Sequence, residues 1–67
     1  MISLTINGRG VELAAPMTIR DLLETKGLHE KIVVVEHNRE IVPRERYDDV
    51  VAGDGDNLEI VQMMAGG

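Results

Sequence analysis

The residues with the clearest chemical potential stand last in the sequence. Gly66-Gly67 follow the strand-like run Leu58-Glu59-Ile60-Val61-Gln62, with only Met63-Met64-Ala65 between. A folded body followed by two glycines presents its own terminal carboxylate as the reactive group. Glycine has no side chain and the widest backbone freedom, so the tail is as narrow as a polypeptide can be. Extended at about 3.3–3.6 Å per residue, the four residues Met64 to Gly67 reach roughly 13 Å. That is enough to thread Ala65 and Gly66 through a channel and put the Gly67 carboxylate in another protein's active site. A pair of terminal glycines taken alone is more often an inert frayed end. The rest of the chain must decide.

No other constellation competes. With no cysteine in the sequence, disulfides, thiolate metal sites and thiol nucleophiles are excluded. His29 and His37 have polar neighbours and no helical metal-ligand spacing, and read as exposed surface histidines. Asp54-Gly55-Asp56-Asn57 superficially suggests a calcium loop, but lacks the glycine and closing Glu at the required offsets. Gly53-x-Gly55 lacks the third glycine and following helix of a phosphate loop. Glu45, Asp48 and Asp49 read as a solvated acidic surface, and Ser3 has no evident His-Asp partner. The expectation is a chain with no catalytic residues, metal or bound cofactor: a substrate of other enzymes.

The 67 residues suffice for one small domain near the lower limit of a self-sufficient core. The formal net charge of −5 argues against nucleic acid and anionic membrane surfaces, and favours a basic protein partner. No apolar run approaches the ~20 residues of a membrane span. The opening Met1-Ile2-Ser3-Leu4-Thr5 alternates in polarity, unlike a signal peptide. The expected location is the cytoplasm. With no Phe or Trp and one Tyr, the core is expected to be aliphatic.

The elements that must carry the tail follow from periodicity. Ile2, Leu4 and Ile6 alternate with polar residues, Asn7-Gly8 is a strong hairpin signal, and Val11 and Leu13 alternate around Glu12, so residues 2–14 predict a β-hairpin. After Pro16, Thr18 is an N-cap with Asp21 three residues on, and Met17 and Leu22 occupy the hydrophobic-staple positions. Ile19, Leu22 and Leu23 share an apolar face, while Arg20, Asp21 and Glu24 face water. Lys26 and Gly27 suit the helix end. The helix is placed at about 18–26. Ile32-Val33-Val34-Val35 reads as a strand covered on both faces, Asn38-Arg39 as a turn, and Glu40-Ile41-Val42 as a short strand ended by Pro43. Residues 44–52 read as charged and irregular, with a helical turn near Glu45–Asp49. Gly53-Asp54-Gly55 is a turn, and 57–63 the last strand. One helix covering one face of a mixed sheet of four to five strands, reached by a right-handed crossover, is an α+β arrangement of the ubiquitin-like β-grasp kind. It is expected as a single domain over 1–67, with a flexible tail at 64–67.

These stretches together resemble the ThiS family, sulfur carriers of thiamin thiazole biosynthesis. The resemblance rests on Asn7-Gly8, Thr18-Ile19-Arg20-Asp21-Leu22-Leu23, Glu40-Ile41-Val42-Pro43-Arg44, Gly55-Asp56, Leu58-Glu59-Ile60-Val61 and the final Gly66-Gly67, in that order across almost the whole chain. The chain departs from the family pattern at Arg39, where Gly is usual, implying another turn type or a strained residue. It departs again at Met63-Met64-Ala65, where a Val-Gly lead-in is more common. The resemblance implies that a ThiF-like (E1-like) adenylyltransferase, using ATP and Mg²⁺, activates the Gly67 carboxylate. A sulfur donor such as a cysteine desulfurase relay then converts it to a thiocarboxylate, delivered to a ThiG-like thiazole synthase. The small subunit of molybdopterin synthase is the alternative with the same fold and chemistry. It tends to be longer, with an aromatic and proline-rich lead-in absent here, so the thiazole branch is preferred. A protein modifier that forms isopeptide bonds, or an interaction domain with an inert tail, are the other readings.

In any of the carrier readings the body is a docking handle. Along the last strand Glu59, Val61 and Met63 alternate with Leu58, Ile60 and Gln62. One set must face the helix and the other must face outward. Val61, Met63 and Met64 are the candidate partner patch, methionine being adaptable enough for successive partners. Completion of a thin core is the competing role, weighed as equal for Val61.

Overall fold

The computed structural model describes residues 1–63. Its N-terminal hairpin joins β1 (Ile2–Ile6) to β2 (Arg9–Leu13) in the register Ile6↔Arg9 to Ile2↔Leu13. The two loop residues have φ of 52° at Asn7 and 80° at Gly8. That left-handed pair matches the right-handed twist of the strands. Then come β3 (Met17–Thr18) and α1 (Ile19–Thr25), followed by a 3₁₀ turn at Glu30–Ile32. β4 (Val33–His37) and β5 (Glu40–Ile41) form a second hairpin. A 3₁₀ turn at Arg44–Arg46, β6 (Val51–Ala52) and β7 (Asn57–Gln62) complete the order.

α1 starts and stops as its sequence dictates. The Thr18 hydroxyl accepts the Asp21 N–H at 3.1 Å, satisfying one of the orphan donors of the first turn. At the other end Gly27 has φ of 70°. Its N–H donates to the Glu24 carbonyl and that of Leu28 to the Leu23 carbonyl, the paired bonds of a Schellman stop. Ile19, Leu22 and Leu23 are fully buried under the sheet.

The main sheet has the order β2-β1-β7-β4-β5. β7 lies between β1, to which it is parallel, and β4, to which it is antiparallel over five residue pairs. A parallel neighbour requires a crossover, and the segment carrying α1 provides it. This is the expected ubiquitin-like β-grasp fold.

Five expectations change. β4 begins at Val33, Ile32 belonging to the preceding 3₁₀ turn, and its burial alternates: Val33 and Val35 are buried, Val34 is half-exposed. The strand is therefore covered on one face, and the β-branched run concealed a period of two. The segment 44–52 is more ordered than its charge suggested. It contributes Tyr47, 2% exposed, and β6, which pairs with β3 through Met17↔Ala52 and Thr18↔Val51. The core is thus not purely aliphatic, because the single aromatic ring fills it from a loop; its burial pushes the Tyr47 hydroxyl pKa up. Arg20 does not simply face water. Its guanidinium grips Glu30 at 2.8 Å and also engages Asp48, tying α1 to the first 3₁₀ turn and to the turn that follows the second. Those partners raise the Arg20 pKa further and hold the Glu30 carboxyl below its usual range. Nor is His37 an exposed surface histidine: only 24% of its side chain is accessible, and Nε2 pairs with Asp56 Oδ2 at 2.7 Å.

Candidate functional site

The candidate site is the C-terminal half of β7 and what leaves it. Leu58 and Ile60 are buried beneath α1, so Glu59, Val61 and Met63 face outward. Val61 is 59% exposed and Met63 44% exposed. The alternation therefore assigns Val61 to the outer surface and removes it from the core. Gln62, of the inward set by parity, is exposed at the sheet's end. Met64, Ala65, Gly66 and Gly67 lie outside the described residues.

The outer surface around Val61 is defined by register. Val61 is opposite Val34, Glu59 is opposite Glu36, and Glu36 in turn is opposite Ile41, which is 67% exposed. Directly opposed residues on one face have Cβ atoms about 4.5–5.5 Å apart. The face is thus an apolar pair, Val34 and Val61, beside two carboxylates and an exposed isoleucine.

Two asparagines that sequence reasoning treated only as turn formers hold β7 in place. The Asn7 backbone N–H donates to the Leu58 carbonyl at 2.8 Å. Its side chain then acts as one more peptide group: Oδ1 accepts the Ile60 N–H at 2.7 Å and Nδ2 donates to the Ile60 carbonyl at 3.2 Å. The ladder along β7 continues although β1 has turned away. On the other side, Asn38 Oδ1 accepts the Asn57 N–H at 2.9 Å, while Asn38 Nδ2 donates to Asp56 Oδ1 at 3.2 Å. Both asparagines have positive φ in two-residue hairpin loops, and that pattern was the available signal.

Asp56 anchors the entry to β7. Its carboxylate accepts the Gly53 N–H at 2.8 Å and the Asn38 amide, and pairs with His37. Partial burial alone would raise this carboxyl; the three donors outweigh it and hold the pKa below the ordinary value. Asp54, its neighbour in the supposed calcium loop, accepts the Ser3 N–H at 2.8 Å. These carboxylates serve the turn, and among the described residues no group of His, Asp or Glu is placed to hold a metal ion. His29 stays exposed and caps the 3₁₀ turn, its Nδ1 accepting the Lys31 N–H. Among the described residues, no helix is long and apolar enough to cross a membrane.

At the exit, the Met63 N–H donates to the Ile32 carbonyl at 2.6 Å. The last described residue is therefore bonded to the residue that precedes β4. Main chain, two side-chain amides and this final bond give β7 a fixed direction up to Met63.

Comparison with known proteins agrees with this frame. Residues 4–67 match the ThiS family. The thiazole synthase of Paramagnetospirillum magneticum is 44% identical over 66 residues, 98% of this chain and 20% of that protein, so the chain spans about a fifth of that relative's length. The sulfur carrier protein ThiS of Bacillus subtilis is 45% identical over 65 residues, 96% of this chain and 98% of that one. The crystal structure of a thiamine biosynthesis protein (ThiS) from Geobacter metallireducens superposes with a TM-score of 0.84 at 32% identity, covering 98% of this chain and 100% of that one. With the match running from β1 through β7 and on to the two terminal glycines, this chain belongs to the ThiS family of sulfur carrier proteins.

Proposed function

We propose that the chain carries sulfur on the carboxyl group of Gly67 for thiamin thiazole synthesis. The observation that carries this reading is the end-to-end correspondence with a curated sulfur carrier, 98% of whose length is matched. A carboxylate is ionised at neutral pH and is a poor electrophile. Attack of a Gly67 oxygen on the α-phosphorus of ATP, with loss of pyrophosphate, makes an acyl adenylate. Sulfide sulfur attacking the carbonyl then expels AMP and leaves the thiocarboxylate. A persulfide donor would leave an acyl disulfide that a second thiol must cleave.

In this scheme the chain supplies the reacting end and the address, and the ATP and Mg²⁺ sites belong to an E1-like adenylating enzyme. The outward Val61 and Met63, with Met64 beyond them, are the seat for that enzyme and for the acceptor. Thiazole synthase is the favoured acceptor. A segment similar to this chain makes up a fifth of a protein of that name, and joining two binding modules in one chain raises their effective concentration. We place these steps in the cytoplasm, where ATP is supplied.

The test combines the chain with the adenylating enzyme, ATP, Mg²⁺ and a sulfur donor. Intact-protein mass spectrometry should detect replacement of one oxygen by sulfur at Gly67. Deleting Gly67 should abolish loading while leaving the circular dichroism spectrum unchanged. Normal loading of the truncated chain would refute the proposal; lysine adducts in place of free thiocarboxylate would point to the protein-modifier alternative.

A further inference from the structure

The chain is acidic overall, yet its tail-exit end is cationic. β7 runs parallel to β1 and continues past it, from Leu58 opposite Ile6 to Gln62. The exit is therefore at the same end of the sheet as the Asn7-Gly8 turn, whose Asn7 side chain reaches Ile60, three residues short of Met63. Arg9 follows that turn, and it lines an open cleft together with Ile6, Asn7 and Lys26, the C-cap of α1. On the other side, Lys31 immediately precedes Ile32, whose carbonyl holds the Met63 N–H. Arg9 and Lys31 thus stand on opposite sides of β7, three strand spacings (about 14 Å) apart across the sheet and offset along it, Arg9 level with Leu58 and Lys31 beyond the level of Gln62. Lys26 stands on the helix side. All three are exposed, and none has an ion-pair partner among the described residues.

The nearby carboxylates do not neutralise this end. Glu30 is taken by Arg20, and Glu24 lines a separate cleft with Arg20 and His29. Of the other acids, Glu36 and Glu59 are on the outer sheet face, Glu12 (opposite Ser3), Glu40 (opposite His37), Asp54 and Asp56 are at the far end of the sheet, and Asp48 and Asp49 pair with Arg20 and Arg46. With a Debye length of about 8 Å at physiological ionic strength, a docking surface responds to the nearest charges and not to the net charge.

We propose that Arg9, Lys26 and Lys31 form a collar that docks on an acidic rim around the mouth of the adenylating enzyme's tail-binding channel. The inference rests on the sulfur-carrier reading and adds the chemistry of the partner surface. A protein rim is the occupant, and not the nucleotide, because an extended tail holds the body roughly 13 Å short of the reacting carbonyl. The collar therefore meets the mouth of the channel and not its floor.

The experiment measures association of the full chain with the adenylating enzyme of the same organism, by stopped flow at several salt concentrations, with and without ATP. Two triple variants are used: Arg9→Glu/Lys26→Glu/Lys31→Glu, and the neutral set with Gln at each position, which spares the helix end an acidic residue. Arg39→Glu, in the β4–β5 turn at the opposite end, controls for net charge. The reversal should slow association by about tenfold or more at low salt and the neutral set by less, both converging on wild type at high salt. Arg39→Glu should leave the rate unchanged. Unaltered rates in the collar variants, or an equal effect of Arg39→Glu, would overturn the collar while wild-type loading left the carrier function intact. An effect confined to the ATP-bound enzyme would assign the anion to the nucleotide and overturn the rim. Absence of wild-type binding and adenylation would overturn both proposals.

Discussion

The side-chain amide of Asn7 is paired with both backbone groups of Ile60, accepting its N–H at 2.7 Å and donating to its carbonyl at 3.2 Å. The two residues are 53 positions apart, and the pair closes the first hairpin onto the strand that leads to the tail. Asn7→Ala removes two hydrogen bonds and leaves the Ile60 groups half-buried without a protein partner. A loss of about 1–3 kcal/mol in urea unfolding is expected. Asn7→Asp keeps the acceptor but puts a carboxylate oxygen against the Ile60 carbonyl, so it should be no better than Ala. Faster amide exchange at Ile60 in both variants would locate the effect; wild-type stability in either would show that the amide does not hold β7.

A second prediction concerns Arg39, a non-glycine residue with φ of 74°. The left-handed region costs an L-residue roughly 1–2 kcal/mol. Glycine removes that cost but gains freedom in the unfolded chain, about 0.4–1 kcal/mol in the other direction. Arg39→Gly should therefore stabilise by about 0.5–1 kcal/mol, or several degrees in Tm for a domain this small. A fall in Tm would mean that the arginine side chain makes a compensating contact. Asn38→Ala, at φ 51°, should be clearly destabilising, because it adds the same backbone cost and removes the bonds to Asp56 and Asn57.

These residues also mark where sequence reading succeeded and where it stopped. The hairpin at Asn7-Gly8, the Thr18 cap, the Gly27 stop and the order of the main strands were legible because each depends on local φ, ψ preference or a short apolar period. The two-residue strands β3 and β6 were not, since Met17-Thr18 and Val51-Ala52 are too short to show a period and exist only through pairing with each other. Tyr47 was missed for a related reason: its neighbours Arg46 and Asp48 are exposed, and only the tertiary fold turns the ring inward. For the candidate site, strand parity reduced the outward set to two choices, and burial of Leu58 and Ile60 chose between them. Beyond the hairpin pattern, the clamps by Asn7 and Asn38 were not legible, because their partners, the backbone of Ile60 and Asn57 and the Asp56 carboxylate, are distant in sequence.

The Asp56 carboxylate gives a pH signature. Its folded pKa is depressed, so its contribution is present above the unfolded value of about 3.9. The contribution is lost as pH falls through that value to the lower folded one. Asp56→Asn should be destabilising by about 1–3 kcal/mol at pH 7, by weakening a charged acceptor that three donors share. At pH 3, below the unfolded value, the gap between the wild-type and variant stabilities should be narrower than at pH 7, and it should close as pH falls through the folded value. Denaturant titrations at the two pH values check this, and a gap that widened in acid would contradict the depressed pKa.

The last prediction separates folding from docking on the outward face of β7. Val61 is 59% exposed and Met63 44% exposed, so polar replacement removes little buried apolar area. Val61→Ser and Met63→Ser should each change unfolding free energy by about 0.5 kcal/mol or less, as is usual for surface positions. A residue that anchors an interface behaves differently, since truncation there commonly costs more than about 1 kcal/mol of binding and a few positions dominate. The double variant should therefore remain folded and monodisperse while its loading by the adenylating enzyme falls by about tenfold, as a binding loss near 1.4 kcal/mol implies. The deficit should appear as a raised KM for the carrier and be overcome at high carrier concentration, because the tail and its carboxyl group are unchanged. Ile60→Ala, on the buried side of the same strand, should show the reverse pattern: lost stability, with loading close to normal in the fraction that is folded. If Val61→Ser and Met63→Ser load like wild type, the adenylating enzyme holds this chain by some surface other than the outward side of β7.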